Sequence, residues 1–242
     1  MDKWLKNRLV DLFYIALAEF ILMPLARLLK SKLLSTKQHI DSKDENYIRT
    51  YYASGAIEFE APLQNGEIYG IAKRYYESGE LWSKVFIVEN LEDGIEKQYY
   101  KNGKLQSKTP YKKGIKNGIG KLYHENGKLE AIIPLKNGKI RGTVRGYHEN
   151  GKLLMKVPIK NEMLNGIMSI YDTDGILILE IPYVDEKREG IMTKYKMGEI
   201  QAIVEFKNDQ AVAGLFKNGT FITKTHLHKL TKNHDLIMEF CP

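Results

Sequence analysis

Arg49, Lys73, Lys97, Lys121 and Arg145 stand 24 residues apart, and the series then lapses into Ser169 and Thr193. Five cations at one repeated offset can do one kind of chemistry. They can hold an anion, either an acidic protein surface or a layer of lipid headgroups. Acids close by, such as Glu77 and Glu125, offer the competing reading of internal ion pairing. Together with Glu96 they offset the field that nucleic-acid phosphate needs, so nucleic acid is a poor candidate. The chain has no phosphate-binding loop, no nucleophile elbow and no paired carboxylates at a fixed strand end. No catalytic residue and no cofactor are expected. His226, His228 and His234 are spaced by two and then six, which is not a zinc pattern, so no metal site is expected either.

The elements that position these cations repeat with them. Tyrosine recurs at Tyr51, Tyr75, Tyr99, Tyr123, Tyr147, Tyr171 and Tyr195. A first glycine follows at Gly55, Gly79, Gly103, Gly127, Gly151 and Gly175. A second follows at Gly70, Gly94, Gly118, Gly142, Gly166, Gly190 and Gly214. A third ladder holds Pro62, Pro110, Pro134, Pro158 and Pro182, with Phe86 and Phe206 in the gaps. A fixed period of this size is the mark of a repeat architecture.

Within a unit, Leu129, Ala131, Ile133 and Leu135 alternate with more polar residues, which is strand periodicity. An Asn-Gly turn precedes this strand, and a second turn and a shorter strand follow it. Each unit is therefore expected to be a β-hairpin. The recurrent proline, lacking a ladder N–H, must sit at a strand end, a bulge or an unpaired position. Stacked hairpins give an all-β, solenoid-like extended antiparallel sheet of about seven units. Each unit advances about 9.5 Å, and the whole spans roughly 65 Å. The tyrosines are expected to form a structural column along it.

The segments "YYESGEL" from Tyr75, "YYKNGKL" from Tyr99 and "YHENGKL" from Tyr123 and Tyr147 resemble the MORN repeat. More closely, they resemble the variant found in bacterial proteins labelled YwqK-family antitoxins. The resemblance covers residues 47 to about 219 and implies a non-catalytic scaffold. On this resemblance the scaffold binds a protein partner, in the antitoxin case a toxin that it neutralises. Three units depart from the pattern: Tyr195 opens a turn one residue short, Ile87–Gly94 lacks Asn-Gly, and Tyr171–Leu177 replaces Asn-Gly with Asp-Gly, which does the same turn chemistry.

Three segments follow: residues 1–40, a repeat domain over 47–219, and a tail over 220–242. Leu9–Leu29 is apolar and free of glycine, and an N-terminal α-helix is expected there. Asp11, Glu19 and Arg27 interrupt its apolar run. The helix has three readings: a cap on the sheet, an amphipathic anchor within residues 1–34, or a spanning signal anchor. They correspond to a cytoplasmic protein, one associated with the membrane, or one anchored at the cell envelope. The tail is expected to add a closing strand over Thr220–Leu230. Leu154, Met168, Ile170, Ile178 and Met192 make the later units apolar on both faces; either the tail packs over them, which is the expectation, or they form a partner surface. The net charge of +7 and the single cysteine, Cys241, permit an anionic partner and exclude an intrachain disulfide framework.

Overall fold

The computed structural model describes residues 46–232. The helix expected over Leu9–Leu29, and with it the choice between cap and anchor, lies outside the described residues. No helix among the described residues is long and apolar enough to cross a membrane.

The strands join in one open antiparallel sheet. The first unit shows the plan: β1 (Tyr47–Tyr51), β2 (Ile57–Gln64), β3 (Glu67–Ile68) and β4 (Gly70–Tyr75). β2 pairs with β1 on one side and with β3 and β4 on the other. The same arrangement continues, strand after strand, so chain order is spatial order.

The two turns of a unit use glycine differently. In the first, Gly55 takes φ +86° while its N–H donates to the Tyr52 carbonyl at 2.9 Å. The pairing register shifts just before it, between Thr50 and Tyr51. The asparagine of the Asn-Gly pair is absent from the positive-φ residues. At Asn102, Asn126 and Asn150 it instead accepts the N–H two residues on. In the second turn both residues take positive φ, as at Asn65 (52°) and Gly66 (80°). This is the two-residue hairpin loop whose twist suits flanking strands. The short turn after Tyr195 has become one of these, with Met197 and Gly198 at its tip.

The proline and second-glycine ladders turn out to be one device. The N–H of Tyr69 donates to the Pro62 carbonyl, and Gly70 follows at φ +125°. This is a bulge that separates β3 from β4, and the missing proline N–H faces it. The same contact recurs from Asn117 to Pro110, Arg141 to Pro134 and Asn165 to Pro158. Gly214 departs from this rule. It lacks positive φ, and a Cβ there would lie 2.7 Å from Ile222. The last unit is therefore not a copy of the others.

The sheet buries one face in three apolar clusters. Phe59, Ala61, Val85 and Ile87 lead the first, with Ile68 brought in beyond the bulge. Ile133, Val144 and Val157 centre the second. Ile181, Met192, Val204 and Phe206 centre the third.

The tail differs from expectation. It makes a single bridge, Leu215 to Phe221, and then α1, Lys224–Lys232. Thr223 caps α1, accepting the His226 N–H on its hydroxyl. Leu227 and Leu230, three residues apart, point into the third cluster. Arg188 holds the other end, donating to the Leu230 and Thr231 carbonyls at 3.2 and 3.0 Å. Met168, Ile170, Ile178 and Met192 belong to the same apolar cluster as Ile222, Leu227 and Leu230 of the tail. Leu154 belongs instead to the second cluster. Met168, Ile170 and Met192 lie on the buried face, so these three do not make the outer face of the later units apolar.

Candidate functional site

On the outer face the five expected cations lie on alternate strands, and the strands between them supply more. Residue pairs across neighbouring strands run Lys73 to Lys84, Lys84 to Lys97, Lys97 to Lys108 and Lys108 to Lys121. Five lysines thus stand directly opposite one another on five successive strands, about 4.8 Å apart at the backbone. Beyond Ile132 the row resumes with Arg145 and Lys156. The sequence reading missed Lys84, Lys108 and Lys156. Their own 24-residue offset carries Glu60, Ile132 and Glu180 at the other positions, which hid the ladder.

The first end of the row is partly neutralised internally. Glu60 accepts from Lys73 at 3.0 Å and from the Tyr75 hydroxyl at 2.7 Å, and Arg49 lies 3.6 Å away. Burial alone would push the Glu60 carboxyl up. Hydrogen bonds from Tyr75 and Lys73, with the charges of Lys73 and Arg49, hold it below the usual range. Farther along, no ion pair within 4 Å reaches Lys84, Lys97, Lys108 or Lys121 among the described residues. Instead, Lys84 and Lys108 lie 5.9 Å from the ring centres of Tyr99 and Tyr123, and Lys156 lies 5.5 Å from Tyr171. The tyrosine column therefore flanks the basic row.

Five of the seven tyrosines also accept, on the backbone carbonyl, a bond that binds their unit to the one before. Tyr52, Tyr76 and Tyr100 donate their hydroxyls to the carbonyls of Tyr75, Tyr99 and Tyr123 at 2.7–2.8 Å. His124 and His148 replace them and reach Tyr147 and Tyr171 through Nε2, at 3.0 and 3.2 Å. A carbonyl only accepts, so Nε2 carries the proton in both. These bonds tie successive units together along the tyrosine column.

A second cluster of polar groups sits on the inner face between the first two apolar clusters. Arg74, Ser83, Gln98 and Ser107 are successive cross-strand neighbours. Glu96, Tyr111 and Lys116 complete it, with Glu92 1% exposed. Burial pushes the Glu96 carboxyl up, and Gln98, Lys116 and Arg74 only partly offset this. Burial also pushes Arg74 and Lys116 down and Tyr111 up. Glu92 and Lys116 occupy the repeat position of Ile68, Ile140, Leu164 and Arg188. Charges thus stand at a position that is apolar in three other units and held by Arg188 in a fourth, a signal the sequence carried and the strand alternation obscured. No metal-holding group of three or more acidic, histidine or cysteine side chains occurs among the described residues.

The MORN repeat variant family matches this chain over residues 68–88, 92–113, 116–137, 140–161 and 164–185. Each segment begins within or beside the short strand before a bulge and ends at the next two-residue turn. The central units are therefore similar to the MORN repeat variant. No curated protein matches the chain.

Proposed function

We propose, from the premise that residues 68–185 are similar to the MORN repeat variant, that this protein is a non-catalytic scaffold binding an acidic protein partner through its outer face. MORN repeats are modules of protein and membrane binding, which sets the class. The observation that carries the reading is the run of lysines from Lys73 to Lys121 on adjacent strands. Like charges directly opposite one another destabilise a sheet, so the row costs the free protein stability. An acidic partner converts that cost into affinity and steers the encounter. Neutralising a toxin by covering its surface, as the YwqK resemblance implies, is one form of this function. A membrane-surface scaffold is the second reading, favoured by the same cations facing one side of a sheet.

The test is capture from native cells with the full chain and with the K84E/K97E/K108E variant, followed by mass spectrometry of soluble and membrane fractions. One stoichiometric soluble protein, lost with the variant, is the expected result. Recovery of membranes alone would remove the protein reading and leave the second.

A further inference from the structure

The lysine row has a parallel neighbour. Two residues along each strand, on the same outer face, stand Ile71, Phe86, Ile95, Pro110, Ile119 and Pro134, in cross-strand register pair by pair. Ile71, Ile95 and Ile119 are each about half exposed. The two rows lie roughly 6.6 Å apart, and both run across the strands, perpendicular to the chain direction.

We infer that this double row docks an α-helix of the partner, one carrying an acidic stripe beside an apolar stripe. The inference rests on the protein-binding reading and adds the form of what is bound. Charge complementarity sets the acidic stripe, and the half-exposed isoleucines set the apolar one. The direction of the rows sets the helix. A segment lying along them crosses the strands, so it cannot join the sheet through main-chain hydrogen bonds. An extended segment there would press unpaired N–H and C=O groups against isoleucine and proline. A helix satisfies its own backbone and meets the sheet with side chains alone. The repeat also fits better. A helical turn rises about 5.4 Å against about 4.8 Å per strand, a mismatch that flexible lysine stems absorb over four steps. Alternate residues of an extended chain are about 6.7 Å apart and fall out of step within two. From Lys73 to Lys121 the row is roughly 19 Å long, which takes about 13 helical residues.

The experiment is selection of displayed random peptides, on the order of 18 residues long, on the full chain, with K84Q/K97Q/K108Q as the counter-target. Removing like charges should leave the variant at least as thermally stable as the parent, so lost binding will not report unfolding. Enriched peptides are expected to place acids at three- and four-residue spacing beside an apolar stripe. They should become helical on binding by circular dichroism, and bind the variant at least roughly tenfold more weakly. Acidic peptides that bind the row without helical spacing or helicity would overturn the helix while sparing the protein-binding reading. Peptides indifferent to the variant would overturn both. So would retention only on phosphatidylcholine vesicles with about one quarter phosphatidylserine.

Discussion

At the scale of single residues, Glu96 shows how this sheet holds charge. The residue is 8% exposed, and its carboxyl touches Gln98 and Tyr111 with Lys116 and Arg74 nearby. Burial dominates and raises its pKa above the unfolded value of about 4.3. Between that value and the raised one, the folded chain holds more protons than the unfolded chain. Stability from this group is therefore fully present below about pH 4.3 and is lost as pH rises through the folded pKa. Glu96→Gln keeps the shape and removes the titration. Its stability relative to the parent should be near equal at low pH and should climb across that window. At neutral pH the gain should be on the order of 1 kcal/mol, the scale of relieving one buried charge. Thermal melts of both proteins across pH measure it. A difference flat with pH, or a loss at neutral pH, would sink this account. Glu60 is the opposite case, held low by Tyr75 and Lys73.

At the scale of the repeated element, the bulge joins two ladders that the sequence displays separately. Gly118 takes φ +121°, and a Cβ on it would meet the Pro110 ring at 3.0 Å. Gly127, in the other turn, takes φ +85° with nothing within 4 Å. Gly127→Ala pays only for backbone strain, about 1 kcal/mol, whereas Gly118→Ala adds the collision and should cost about 2–3 kcal/mol. Pro110→Ala should recover part of the difference in the double variant, so the two costs will not add. Denaturant melts of the four proteins close the cycle, and strict additivity would rule out the contact. The period, the hairpins and the open sheet were all legible because identical residues recur at identical places. What recurs irregularly was not. Lys84 and Lys108 share their offset with glutamates and an isoleucine, and Glu92, Lys116 and Arg188 share theirs with apolar residues. The tail misled for a different reason. "TFITKTHLHKL" alternates like a strand, yet Leu227 and Leu230 are spaced for a helix, and the carbonyls at its end are satisfied by Arg188, more than 40 residues away in sequence.

At the scale of the molecule, a sheet in which each strand touches only its neighbours divides its stability among nearest-neighbour interfaces. These interfaces are unequal. Met168 packs against both the second and third apolar clusters and so couples them. α1 and Arg188 close the far end of the third. Between the first cluster and the second lies the polar patch of Ser83, Glu92, Glu96, Ser107 and Thr109, which contributes less apolar burial per unit. The N-terminal units should therefore open as their own cooperative block. Phe59, 2% exposed in the first cluster, is the place to test this. Phe59→Ala removes about 3–5 kcal/mol of local packing. In native-state hydrogen exchange, amides of residues 47–88 should lose protection, while those of residues 129–206 keep theirs. Equal loss along the whole sheet would mean that the patch transmits cooperativity as well as an apolar core does. Lys73 and Lys84 lie on the block that opens, and Lys121 borders the one that stays closed. A partner spanning the lysine row would thus bridge the weakest joint and couple the two blocks. Its binding should restore protection to residues 47–88 in the Phe59→Ala protein.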